Sequence, residues 1–206
     1  MNKKYFWRIA FIKTGWAENY DGDEVVGRHK YVGDSGDAYE KYNFIRISGR
    51  FFGYLPPIGS QRGRKYTLPK PDCPDDWLVI FCAALNGKGP LVPVGWYEKA
   101  NFLSTRRPRP EYGKNHNFPL DPNGAKYVYS ITATQGKLIS SDQRSNIIIP
   151  GDHFKRTPII YARGHRDKKP WRKEYARIAE DIVCAHSPLR LNDLLNRIGK
   201  RAHQAG

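Results

Sequence analysis

Long apolar runs are missing from this 206-residue chain. The nearest, "WLVIFCAAL" at residues 77–85, is well short of the ~20 residues a membrane-crossing helix needs, so no membrane partner is expected. "YFWRIAFI" near the start is too short, and too interrupted by Arg8, for a secretory leader. Cysteine is scarce: Cys73, Cys82 and Cys184 are odd in number and widely spaced, which excludes a disulfide framework and a zinc pattern and points to a reducing, cytoplasmic compartment. The six histidines never pair at metal-ligand spacing. There is no Gly-x-Ser-x-Gly elbow, Walker loop or dinucleotide fingerprint. "NGKGP" at 86–90 lacks the Lys-Ser/Thr pair of a phosphate loop and reads as a hairpin turn. "GDHFKR" at 151–156 is read as a turn after a strand rather than a metal site. No catalytic residue, metal or cofactor is therefore expected. The open alternative is an enzyme built on Asp21, Asp23 and His29.

Abundant instead are positive charge and aromatic rings. The net charge is +15, with 13 Tyr, 9 Phe and 5 Trp. Charge of that size suits a polyanionic partner such as nucleic acid. Its distribution is uneven. From Glu18 to Glu40 there are seven acids against Arg28 and Lys30, whereas residues 163–206 hold eleven bases and five acids. Two other stretches read as basic loops. One carries Arg62, Arg64, Lys65 and Lys70; the other carries Arg106, Arg107, Arg109 and Lys114. Of these, Arg62, Arg64, Lys65, Arg106 and Arg107 are the candidate phosphate contacts.

Alternation predicts a first strand in "YFWRIAFIK", 5–13. Residues 14–42 read as loop with one short helix, because Gly15, Gly22, Gly27, Gly33 and Gly36 interrupt any regular element. "NFIRISGRFFGYLPP" (43–57) reads as a hairpin turning at Ser48-Gly49. Strands are expected at 76–85, at 91–103 with Pro93 marking an edge or bulge, at 126–134, at 144–150 and at 157–164. Residues 104–125 read as loop. From Lys168 the period lengthens: Trp171, Tyr175, Ile178, Ile182 and Val183 recur at helical spacing, and a second helix is expected from Pro188. The expectation is an α+β chain: a β-rich domain over 1–165, then a helical extension or linker over 166–206.

The segment "TGWAENYDGDEVVGRHKYV" (14–32) is too polar for core, yet carries Trp16, Tyr20 and Tyr31. Gly15-Trp16 and Gly95-Trp96 are both Gly-Trp steps, where the backbone can approach a ligand closely. Trp16 and Trp96 are read as two walls of a stacking slot, with core as the competing reading for Trp96. Tyr20 and Tyr31 either complete an aromatic cage or cover the sheet. Asp21 is a candidate acceptor for an exocyclic amino group, or a loop residue capping its own turn. Asn43, before Phe44, offers a donor and an acceptor to a base edge. Trp7, Phe51, Trp77 and Phe81 are assigned to core or cover.

Several segments together resemble one bacterial family: EVE-like modified-nucleobase readers of the PUA superfamily. They are "TGWAENYDGD" with "HKYV", "YNFIRISGRFFGYLPP", "WLVIFCAAL" with "VPVGWYEKANFL", "YVYSITATQGKLISSDQRSNIIIP" and "PIIYARG". Such domains sit at the N-terminus of modification-dependent restriction endonucleases, often ahead of an HNH nuclease, or stand alone. Two features depart from the pattern. The turn before the last strand is "GDHFKRTP" where the family often has a Gly/Gln/Ser-rich one, and two helices follow with no HNH nuclease after them. The resemblance implies a PUA/EVE-like mixed β-barrel with surrounding short helices and an aromatic pocket, to which Trp16, Tyr20, Asp21, Tyr31, Asn43, Phe44 and Trp96 are assigned. It implies binding of double-stranded DNA carrying a modified base, such as 5-methyl- or 5-hydroxymethylcytosine. The base would be flipped into the pocket as a specificity step in defence against foreign DNA, with a fused or associated nuclease as a possible partner. An RNA-binding PUA-like module is the alternative.

Overall fold

In this computed structural model the described residues are 5–27, 38–58, 67–111, 118–154, 157–165 and 169–186. They form an α+β fold around one mixed sheet. Its strands are β1 (Ile9–Lys13), β2 (Arg46–Ile47), β3 (Arg50–Gly53), β4 (Trp77–Ala84), β5 (Leu91–Pro108), β6 (Val128–Ala133), β7 (Gln135–Leu138) and β8 (Ile159–Arg163). The order is β2-β3-β6-β5-β4-β1-β8, with β7 paired to β5. The end strands β2 and β8 do not pair, so the eight strands form an open sheet rather than a closed barrel.

β1 and β4 run parallel, Ile9 opposite Leu78 and Lys13 opposite Cys82. β4 is apolar throughout because both its faces are buried. Trp77, Val79, Phe81 and Ala83 enter one core; Leu78, Ile80 and Cys82 enter the other. β1 divides likewise, Ala10 and Ile12 against Ile9 and Phe11. This two-residue alternation turns one sheet into a floor between two cores.

The helix α1 (Trp171–Ala185) covers the second core with Tyr175, Ile178, Ile182 and Val183. A 15-residue helix is marginal alone in water. Burial at roughly 1.5–3 kcal/mol per large apolar side chain decides the matter in favour of docking. The second helix expected from Pro188 lies outside the described residues. On the first core lies the segment 14–27, pinned by a short antiparallel bridge between Trp16 and Val26.

Several expectations change. Residues 104–108 are not loop. β5 runs on to Pro108 and passes from β4 to β6, with Phe102 opposite Ile131 and Arg107 opposite Tyr129. Residues 144–150 are not a strand. Ser141–Asn146 forms a 3-10 turn, and Ile148 is 62% exposed. Trp7 is not cover either: it is 74% exposed and meets Tyr5 edge-on. The hairpin turns at Ser48 and Gly49 with φ of 47° and 79°, the paired positive angles that favour tight hairpins. Pro93 sits opposite Cys82 beside a register shift, as its missing N–H requires.

Candidate functional site: a cavity at the ends of the parallel strands

β1 ends at Lys13 and β4 at Ala84, side by side. Beyond these ends opens a cavity of about 260 Å³ lined by Lys13, Thr14, Gly15, Trp16, Val26, Gly27, Ala84, Gly87 and Lys88. Trp16 is half-buried here. Its ring is held by the Arg144 guanidinium, 4.9 Å from the ring centroid. The Thr14 hydroxyl is 2% exposed and has no hydrogen-bond partner. A buried hydroxyl without a partner costs roughly 1–3 kcal/mol, and Thr14 belongs to the lining of this cavity. Lys13 and Lys88 add positive charge at the lining.

The loop that carries Trp16 is fixed by side chains from distant segments, Arg144 and Glu40, and by two of its own, Tyr20 and Asp23. Arg144 is fully buried and donates to the carbonyls of Ile139, Ala17 and Glu18. Burial holds its guanidinium below the ordinary value. Glu40 Oε1 accepts the Gly15 N–H at 3.1 Å. Tyr20 is fully buried, donates to the Gly15 carbonyl at 2.5 Å, and its phenol is pushed up by that burial. Asp23 Oδ2 accepts the N–H groups of Glu18 and Asn19, both at 2.7 Å. A segment that reads as irregular is therefore held rigid, which a stacking wall requires.

The expected pocket residues separate. Tyr20 and Phe44 touch, with ring centroids 5.7 Å apart, but neither lines the cavity. Trp96 is 4% exposed and sits in the α1-covered core with its indole N–H on Glu98. The two-tryptophan slot is not formed, because the two rings belong to different cores. The Gly-Trp steps are packing devices. A Cβ on Gly15 would lie 2.1 Å from Val25 Cγ1, and one on Gly95 would lie 2.4 Å from Phe44 Cζ. Asn43 is fully buried; its Oδ1 accepts the Tyr54 N–H and an Arg109 N–H, so it braces the backbone. Asp21 is exposed and outside the cavity lining. The loop-capping role considered for it belongs to Asp23. Arg106 and Arg107 are exposed on β5, and Arg106 lies over the Tyr54 ring. Tyr31, His29, Arg62, Arg64 and Lys65 lie outside the described residues.

Among the described residues no three His, Cys, Asp or Glu side chains gather where a metal ion could sit, and Cys73, Cys82 and Cys184 are unpaired. No described helix is long and apolar enough to cross a membrane. Residues that the sequence did not single out carry much of the site. Thr14 and Glu40 fell within a segment read as loop, and Arg144 within one read as strand. No local pattern marked any of them. No protein-family model, curated protein or solved structure matches the chain.

Proposed function

We propose that the protein is a non-catalytic reader of modified DNA, of the EVE-like, PUA-superfamily kind, which takes a flipped modified base into the Trp16 cavity. A modified cytosine is the preferred base, and defence against foreign DNA the setting. One observation carries the reading. A clamped, half-buried tryptophan borders a roughly base-sized cavity with an unpartnered buried hydroxyl, in a chain of net charge +15. Flipping a base out of a duplex costs a few kcal/mol, and stacking on an aromatic face returns about 1–3 kcal/mol. The Thr14 hydroxyl, unpartnered and next to the cavity, is the polar group that a small opening of the lining would offer to the base. Exposed cations such as Arg106 and Arg107 supply phosphate attraction that carries no sequence information. The open sheet is compatible with this reading, since the cavity needs only the paired ends of β1 and β4.

The test is a titration at one fixed salt concentration of four duplexes: unmodified, 5-methylcytosine, 5-hydroxymethylcytosine and N6-methyladenine. A preference for one modified duplex is expected. Equal affinity for all four leaves only the electrostatic attraction and overturns the reading. Tighter binding of structured RNA than of any duplex replaces it with an RNA-binding one.

A further inference from the structure

The charge around the Trp16 cavity is of one sign. Its lining contains two cations, Lys13 and Lys88, and no described carboxylate. Lys13 is half-buried at the end of β1, and Lys88 is exposed. Neither belongs to an ion pair among the described residues. The acids of the loop are engaged with backbone instead. Glu40 Oε1 accepts the Gly15 N–H, Asp23 Oδ2 accepts those of Glu18 and Asn19, and neither acid lines the cavity. The backbone brings the two lysines to Trp16 from different segments. Lys13 sits beside Cys82 of β4. Lys88 follows the turn Leu85–Gly87, and its N–H donates to the Leu85 carbonyl at 3.2 Å. That turn packs on the ribbon closed by the Trp16–Val26 bridge. Gly87 has φ of 78°, and a Cβ there would lie 2.8 Å from Val26 Cγ1 and 3.3 Å from the Gly27 nitrogen.

Two cations beside a stacking face suit a base that carries its own negative charge. Attraction between opposite charges strengthens where water is excluded, and a charge-assisted contact is roughly twice as strong as a neutral one. A 5-methyl group offers a lysine nothing. A 5-hydroxymethyl or 5-formyl group offers a neutral oxygen. A carboxyl on cytosine C5 is ionised at neutral pH, as carboxyls of ordinary pKa, ~4, are, and offers a full charge. DNA phosphate is the other anion within reach of a flipped base. The two sources differ in one respect: every duplex carries the phosphate, and only one carries the carboxylate.

We propose that the Trp16 cavity selects a base with an anionic substituent, 5-carboxylcytosine being the type, and that Lys13 and Lys88 read the charge. The inference rests on the base-reading proposal and narrows its substrate class.

The test titrates the intact chain, at one fixed salt concentration, with duplexes that differ at a single cytosine: unmodified, 5-methyl, 5-hydroxymethyl, 5-formyl or 5-carboxyl. The 5-carboxyl duplex is expected to bind about tenfold tighter than the 5-formyl one, the worth of a contact that gains a charge. Lys13→Gln and Lys88→Gln are each expected to cut that ratio about threefold, and together to remove it, at an unchanged melting temperature. A 5-carboxyl duplex no tighter than the 5-formyl one, while some modified duplex still outbinds the unmodified one, overturns the proposal and leaves base reading in place. Tightest binding of the 5-methyl or 5-hydroxymethyl duplex does the same. Lysine variants that weaken every duplex by one common factor assign the two cations to phosphate and overturn it. A carboxyl preference kept in the double variant overturns it too, because the charge is then read elsewhere. Equal affinity for all five duplexes overturns base reading itself, and this proposal with it.

Discussion

Gly15-Trp16 and Gly95-Trp96 are the same dipeptide twice in one chain, and they end in opposite surroundings. Trp96 lies inside a strand flanked by β4 and β7, its ring under α1. Trp16 lies just past a strand end, its ring at a cavity rim and held by one arginine. The dipeptide is the same but its neighbours are not, Thr14 and Ala17 against Val94 and Tyr97, and the surrounding strands complete the difference. Within a sheet, both faces are claimed by cores. At the end of a parallel pair the strands stop and leave a hollow, much as ligand sites form beyond the carboxyl ends of strands in open α/β sheets.

The sharpest way to break this contrast is to truncate each ring. Trp96→Ala is expected to cost about 3–5 kcal/mol in chemical denaturation, the usual range for emptying a core site. Trp16→Ala is expected to cost no more than about 2 kcal/mol, chiefly its contact with Arg144, while abolishing preference for a modified base. Similar stability losses for both would erase the distinction. Arg144→Met comes next. It leaves three carbonyls without their donor, at about 3 kcal/mol by analogy with other broken buried polar pairs. Hydrogen exchange at the bonded Trp16 and Val26 amides should accelerate more than exchange in β4.

The glycines give a smaller contrast. Gly95→Ala drives its new methyl to 2.5 Å from the Lys137 carbonyl oxygen, which is backbone, whereas Gly15→Ala meets a valine methyl that can rotate away. Losses of about 3 and about 1 kcal/mol are expected from thermal unfolding. The smallest effect is alkaline. Burial raises the Tyr175 phenol, on the buried face of α1, to about 12, and raises Tyr20, within the Trp16 loop, further. A phenol with a raised folded pKa contributes stability that is complete below its unfolded value, ~10, and is lost as pH climbs towards the folded value. Melting temperatures should therefore fall between about pH 10 and pH 12. Tyr175→Phe and Tyr20→Phe should each flatten that fall, the latter more.

Much of this architecture is legible in the sequence where one segment carries its own signal. The unbroken apolar run of β4 announces burial on both faces, and Ser48-Gly49 announces its turn. Elements decided by partners are not legible. The stretch Ser104–Pro108 looks like basic loop because its side chains are exposed, yet β6 supplies the ladder that makes part of it strand. The three consecutive isoleucines at 147–149 look like strand, but among the described residues their backbone tie to the sheet is the single bond from Ile149 N–H to the Leu91 carbonyl of β5, which makes no ladder. The same logic divides the site. Trp16 stood out as a large ring in a polar segment. Its support did not, because Arg144 and Glu40 reach it from elsewhere in the chain and Thr14 matters only through the hydroxyl it leaves unpaired. Arg109 reads in the sequence as one charge among several in a loop, although its burial makes it unlike Arg106 and Arg107.

The most direct test uses the tryptophans themselves. Protein labelled with 5-fluorotryptophan gives one fluorine signal for each of its five tryptophans, and single Trp→Phe variants assign the Trp16 and Trp96 lines. Addition of the preferred modified duplex should move the Trp16 line and leave the Trp96 line in place, while the unmodified duplex moves neither. A modified duplex that binds with preference yet leaves the Trp16 line unmoved would contradict the account.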